Sequence, residues 1–309
     1  MVDAGLKTPV AFIIFNRPEP TKQVFAEIAR AKPRQLFVIA DGPRPNRPDE
    51  SERCRATRQL IDRVDWPCEV VTHYSEENLG CRNRVSSGLD WLFLQVPEAI
   101  ILEDDCVPDP TFFRFCEDLL ERYRDDTRVG MICGDNFQFG RKIGEGSYYF
   151  SKYTHIWGWA SWRRAWRHYD VSARIWPKFR SAGLFDYMTF PCERMSWDAA
   201  FEGVCAGRID TWDYQWTLAC WSQSMLTVVP QANLITNIGF GADATHTRKI
   251  NRFANMEMRA MEWPLRAPPI VAANQIADKS VAECMFKMSL LRRLKRYAFR
   301  AVGKRRATG

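Results

Sequence analysis

Through the first 135 residues, five short strand-like runs alternate with segments whose apolar residues recur at helical spacing, and this alternation confines the chain to α/β folds. The first run, Val10-Ala11-Phe12-Ile13-Ile14-Phe15, is continuous and rich in β-branched and aromatic residues. Asn16-Arg17-Pro18-Glu19-Pro20 breaks it, which predicts a buried strand followed by a loop. Residues 21–31 then set Val24, Phe25 and Ile28 on one helical face ahead of Pro33. The cycle repeats, with strands expected over 36–40, 69–72, 99–102 and 129–133 and helices over 49–64, 81–96 and 111–124. Strands separated by helices of this length are expected to run parallel, joined by crossover helices.

Beyond Gly134 the pattern loosens. Residues 140–146 predict a loop, and Trp157, Trp159, Trp162 and Trp166 fall close together, followed by Trp197, Trp212, Trp216 and Trp221. The helical spacing of Trp159, Trp162 and Trp166 predicts core positions rather than a sugar-stacking platform. A chain of 309 residues with 46% hydrophobic content can bury one large core. No internal repeat or low-complexity linker divides it, so residues 1–284 are expected to form one continuous domain.

The net charge of +7 is local. Residues 285–309 hold nine Lys or Arg and no acid, which leaves 35 bases against 37 acids elsewhere, so the body carries no nucleic-acid-binding signature. The ten cysteines stand singly without a C-x-x-C pair, which argues against structural zinc. Several, such as Cys133, Cys205 and Cys220, sit in apolar stretches, as expected in a reducing compartment. No run of about 18 apolar residues is present, so neither a membrane span nor a signal peptide is expected, and the protein is expected in the cytoplasm.

Ligands in open α/β sheets bind beyond the carboxyl ends of the strands, and three segments place polar residues there: Asn16-Arg17, Asp41-Gly42 and Glu103-Asp104-Asp105. The triplet is the sharpest. Three consecutive carboxylates after an apolar strand repel one another unless a cation or hydrogen bonds compensate, though a helix-capping or solvated cluster has the same composition. A hard divalent cation takes one or two carboxylates and completes its shell with phosphate oxygens and water, which suits a nucleoside diphosphate. G-x-x-x-x-G-K-[ST] is absent, G-x-G-x-x-G does not follow the first strand, and Asn16-Arg17-Pro18 stands where a nucleotidyltransferase needs a glycine-rich loop.

From about residue 9 to about residue 246 these motifs resemble the GT-A glycosyltransferases, and within them the N-acetylglucosaminyltransferase I family with its bacterial relatives. The likeness is carried by Glu103-Asp104-Asp105, Gly158-Trp159, Trp212-Asp213-Tyr214-Gln215-Trp216 and Gly239-Phe240-Gly241 leading to His246. It implies a GT-A fold with a mostly parallel central sheet flanked by helices, a nucleotide-binding half at about 8–135 and an acceptor half at about 136–250. It further implies that Asp105 binds Mn²⁺ or Mg²⁺ with His246 as a further ligand, that Glu103 and Asp104 contact nucleotide and sugar, that Arg17 contacts the donor, and that Asp41 bonds the uracil. Asp213 takes the place of the family's general base, while Tyr214 replaces a second Asp there.

The expected function is metal-dependent, inverting transfer of a sugar from a nucleoside diphosphate donor, a UDP-sugar by the resemblance, to a hydroxyl of a glycan or lipid-linked glycan. The alternative is a non-catalytic membrane- or glycan-binding protein that keeps the scaffold. Residues 290–302 place Leu290, Leu291, Leu294, Ala298 and Ala301 opposite Arg292, Arg296 and Arg300, which predicts a basic amphipathic helix suited to an anionic membrane surface or packed on the body. Arg82 and Arg84 near the start of the helix over 81–96 oppose its dipole; diphosphate contact would explain them, as would simple exposure.

Overall fold

A computed structural model describes residues 5–240 and 252–286; His246 and the helix expected over 290–302 lie outside the described residues. The chain runs through β1 (Val10–Ile14), α1 (Pro18–Ala31), β2 (Gln35–Ala40), α2 (Glu50–Gln59), β3 (Glu69–Tyr74), α3 (Gly80–Gln95) and β4 (Glu98–Glu103). It continues with β5 (Cys106–Pro108), α4 (Thr111–Arg122), β6 (Val129–Cys133), β7 (Tyr148–Ser151), β8 (Trp159–Trp162), α5 (Arg163–Trp166), α6 (Trp176–Ser181) and α7 (Leu184–Met188). The last elements are α8 (Arg194–Cys205), α9 (Asp213–Ser222), β9 (Leu226–Pro230), β10 (Ile235–Asn237) and α10 (Gln275–Phe286).

Eight strands form one sheet in the order β3-β2-β1-β4-β8-β6-β9-β7. The first four, joined by α1, α2 and α3, are all parallel, as the alternation requires. The expectation of a mostly parallel sheet is refined beyond them: β8 lies antiparallel between β4 and β6, and β7 antiparallel on β9, so the sheet is mixed. β7 and β8 thus share one direction, opposite to that of the other six strands.

The continuous apolar strands follow from burial on both sheet faces. Val10, Phe12 and Ile14 of β1 pack with Val24, Phe25 and Ile28 of α1 and the apolar side of α4. Ala11 and Ile13 point the other way, onto Val85, Leu89 and Leu92 of α3 and Trp216 of α9. A third cluster, built from Trp176, Phe185, Trp197, Phe201 and Trp221, is capped by Val281 and Ala282 of α10. Trp159, Trp162 and Trp166 are core residues as expected, but the reason differs. Trp159 and Trp162 belong to a strand, where a spacing of three sends them to opposite faces, and they join different clusters.

Candidate active site

Parallel strands end together, so β1, β2 and β4 deliver Asn16-Arg17, Asp41 and Glu103-Asp104-Asp105 to one edge of the sheet. With neighbouring strands about 4.8 Å apart, the ends of β2 and β4 stand about 10 Å from each other across β1. The groups open into one cavity of about 520 Å³, a size ordinary for a small-molecule site.

The triplet is short of positive charge. Glu103 closes β4 in register with Ile13, and Asp104 and Asp105 form the turn into β5. Arg17 answers both aspartates: Nη2 and Nε bond the Asp104 carboxylate, and Nη1 lies 2.9 Å from Asp105 Oδ2. Burial works against the guanidinium's charge, and the two aspartates outweigh it and keep Arg17 firmly protonated. One cation does not neutralise three carboxylates. Burial, then repulsion from Asp105 and Asp104, pushes Glu103 up to about 8, and burial lifts Asp104 to about 6 against the pull of Arg17.

The small ribbon of β5 and β10 frames the triplet on its far side. Its register sets Asn237 opposite Cys106. Asn237 Nδ2 points at Asp105 Oδ1 from 3.5 Å, and the Ile238 N–H donates to the Asp105 carbonyl at 2.9 Å. Gly239 follows, and a Cβ there would overlap the Asp105 carboxylate, so the chain passes this close only as glycine. Gly239 and Phe240 line the cavity; Gly241 and His246 lie outside the described residues. Among the described residues no three His, Cys, Asp or Glu side chains converge as a ready-made metal cage. A hard cation here would have to use carboxylate oxygens at Asp105, which Arg17 and Asn237 hold in place, and take its remaining ligands from a bound molecule and water.

Asp41 plays a different part from the triplet. Its Oδ1 accepts from the N–H groups of Gly42 (3.0 Å) and Leu79 (2.9 Å), and its Oδ2 from Gly80 N–H (3.1 Å) and Asn78 Nδ2 (3.0 Å). Burial raises its pKa while those backbone N–H groups pull the other way. The carboxylate thus fastens the loop that starts α3.

Opposite the triplet, Asp213 is the first residue of α9 and lines the cavity, with the Thr211 hydroxyl donating to its Oδ1. It is near enough to add to the upward shift of Glu103. Tyr214 beside it also lines the cavity and packs edge-on against Trp197, 5.7 Å between ring centroids. Every predicted site residue that is described, Arg17, Asp41, Glu103, Asp104, Asp105 and Asp213, therefore meets in one cavity.

Other residues reach it without having been selected from the sequence, among them Asp210, Asn237, Asn78 and Trp157. Asp210 accepts from the N–H groups of Cys81 (3.2 Å) and Arg82 (3.0 Å), closing the first turn of α3 from 129 positions away. Asn237 arrives as the last residue of β10 and Asn78 in the loop before α3, and neither segment carries a chemical signature. Trp157, alone among the four clustered tryptophans, lines the cavity, with Phe240 edge-on at 5.8 Å. It directly precedes Gly158, whose φ of +64° turns the chain into β8, and that offset from the buried stripe is the one local signal that separates it.

No family model and no curated protein matches this chain. Among solved structures it is similar to the inositol-1-phosphate CTP transferase of T. maritima, at 10% identity and TM-score 0.39 over 78% of this chain and 93% of that one. It is also similar to mouse xyloside xylosyltransferase 1, at 11% identity and TM-score 0.34 over 72% and 85% of the two chains. A mannosyltransferase from Pyrobaculum calidifontis, solved with GDP-Man and Mn²⁺, matches at 12% identity and TM-score 0.36 over 52% of this chain and 46% of that one. Likenesses this distant carry no function, which has to be read from the site's own residues.

Proposed function

We propose that the protein is a metal-dependent, inverting glycosyltransferase that moves a sugar from a nucleoside diphosphate donor, a UDP-sugar by the motif resemblance, to a hydroxyl of a glycan or lipid-linked glycan. One observation carries this: of three half-buried to buried carboxylates at the strand ends, Arg17 pairs with Asp104 and Asp105 and leaves Glu103 without an ion pair, and a fourth carboxylate, Asp213, lines the same cavity of nucleotide-sugar size. Such a site is completed by a dication that arrives with the phosphates. A divalent cation bound at Asp105 would supply Lewis-acid relief for the charge developing on the leaving diphosphate, worth several kcal/mol.

The chain's own residues do the rest. Arg17 and Asp104, locked to each other, fix the floor beneath the diphosphate, and the Asp41 end of the cavity takes the nucleoside. Asp213, oriented by Thr211, accepts the proton of the incoming hydroxyl as that oxygen bonds to the anomeric carbon. The bond from that carbon to phosphate breaks on the opposite face, and the electron pair leaves with the diphosphate, which gives inversion. Trp157 and Phe240 provide aromatic wall against water near the sugar.

Incubation with a panel of nucleotide sugars and Mn²⁺, with released nucleotide as the readout, tests this. Wild type should turn over only with metal, and Asp105→Ala should lose nearly all of it. Metal-independent release, or full release by Asp105→Ala, would overturn the proposal.

A further inference from the structure

We infer that β3, the open edge of the sheet, joins two copies of this chain strand against strand about a two-fold axis at Thr72. The inference does not rest on the transferase reading.

The fold treats the two edges of the sheet differently. Along β7 the chain returns to cover the edge: the Asn274 N–H donates to the Phe150 carbonyl at 2.8 Å, the Ser147 N–H donates to the Arg266 carbonyl at 2.8 Å, and Phe150 bridges Ala273. β3 pairs with β2 on one side, and no strand among the described residues pairs with its other side. The Glu69 N–H donates to the Arg34 carbonyl and the Ser75 N–H to the Ala40 carbonyl, so the odd-numbered residues of β3 turn their backbone groups toward β2. Val70, Thr72 and Tyr74 therefore turn theirs outward, where no backbone group among the described residues meets them.

Native sheets blunt such an edge with lysine, proline, a bulge or a covering segment. β3 contains neither lysine nor proline, and its register with β2 runs unshifted from Glu69 to Tyr74. Three β-branched residues in a row, Val70, Val71 and Thr72, favour the extended form. The face beside α2 is uncovered as well. Val70 is 37% exposed and Thr72 is exposed, along a trough of about 720 Å³ that Cys54 and Ile61 also line. Arg58 stacks on the Tyr74 ring at 4.8 Å and steadies the end of the strand.

An edge of this kind takes another strand, and the residue pattern selects a second β3. A two-fold axis perpendicular to the sheet sets the two strands antiparallel and keeps every side chain on its own face. Centring on Thr72 is the register that uses all three outward residues of β3: Thr72 meets the partner's Thr72, and Val70 meets the partner's Tyr74 in both directions. Each of these pairs exchanges two main-chain hydrogen bonds. Thr–Thr and aromatic–β-branched pairs are favourable cross-strand neighbours. Charge agrees with the same register. Glu69 opposes Ser75 and Glu76 opposes Cys68, whereas centring on His73 would set Glu69 against Glu77.

Sedimentation and cross-linking of the full chain test this. Wild type at micromolar concentration should sediment at twice the chain mass of 35.9 kDa. Thr72→Pro removes an outward N–H and leaves the ladder to β2 intact, so it should sediment at the single mass with an unchanged circular dichroism spectrum. Thr72→Cys tests the register without relying on that variant. Opposed residues bring their Cα atoms to about 5.5 Å, within disulfide range, so mild oxidation should cross-link Thr72→Cys into a dimer well above the wild-type background on non-reducing gels. Val70→Cys should not cross-link above that background, because the two copies of residue 70 would lie about 14 Å apart along the strands. Wild type at the single mass, a dimer that persists in folded Thr72→Pro, no added cross-link in Thr72→Cys, or equal cross-linking in Val70→Cys would each overturn the inference. None of these readouts involves a nucleotide, so they leave the transferase proposal where it stands.

Discussion

At the scale of single residues, the site is a problem of charge balance. Arg17 serves both Asp104 and Asp105, so whatever cation joins Asp105 must share that carboxylate with the guanidinium. Glu103 keeps no cation of its own and is held up near 8 by burial and its acidic neighbours. Asp213 lies at the start of α9 with the Thr211 hydroxyl donating to it, and in the proposed reaction it is the group that takes the acceptor's proton. Asp213→Asn keeps the shape and removes the base. It should lower kcat by about 10²- to 10⁴-fold while leaving nucleotide affinity nearly unchanged, as compared by steady-state kinetics and calorimetry. An equal loss in both quantities would place Asp213 in donor binding instead.

At the scale of elements, α3 shapes the Asp41 end of the cavity. Its backbone N–H groups are satisfied from two directions: Asp41 takes Leu79 and Gly80, and Asp210 takes Cys81 and Arg82. The helix start is thereby tied both to β2 and to the segment that carries Asp213. Asp210 further presses on Gly80, whose φ of +77° favours glycine, and a Cβ at Gly80 would crowd the Asp210 carboxylate. Asp210→Ala should cost about 0.5–2 kcal/mol of stability, as for loss of a helix cap, and raise the donor KM, with Asp210→Asn restoring most of both. Denaturant melts and donor kinetics on the two variants check this, and an Ala variant with unaltered stability would show that the second cap carries no weight.

At the scale of the whole molecule, the sheet's two faces and the third aromatic cluster meet at the cavity, and α10 closes that cluster through a buried polar network. Asp278 of α10 accepts from the Ser151 hydroxyl at 2.6 Å and the Lys152 N–H at 3.2 Å, and Lys152 Nζ in turn bonds Glu193 at 2.8 Å. Burial raises Asp278 from 3.8 to about 6, with the Ser151 and Lys152 contacts opposing. A carboxyl whose pKa is higher folded than unfolded stabilises most when protonated. Its contribution is full below about 4 and is lost as pH rises through about 6. Between pH 4.5 and 7.5 this amounts to about 2 kcal/mol. Asp278→Asn cannot titrate, so its stability relative to wild type should rise by roughly that amount over the same interval, measured by urea melts at each pH. A constant difference across the interval would show that Asp278 does not titrate there.

The first four parallel strands, their helices and the acidic triplet were all legible in the chain, because each rests on local periodicity or on composition at a strand end. Arg17 and Asp41 stood out by their place at strand ends and took their roles from the motif resemblance, which alone pointed to Asp213, and the fold brings all three to the triplet's cavity. What the residues could not disclose is set by contacts distant along the chain. The antiparallel course of β8 is set by its pairing with β4 and β6, and the tryptophan spacing there looks helical until the strand is seen. That Asp41 is taken up by backbone and amide donors depends on where residues 78–80 fold back, and that β3 keeps backbone groups unused depends on which strands the fold sets beside it. Local sequence determined which groups could carry charge to the sheet edge; only tertiary structure decided which groups still had a hydrogen bond left to make, since that depends on the partners each one meets in space.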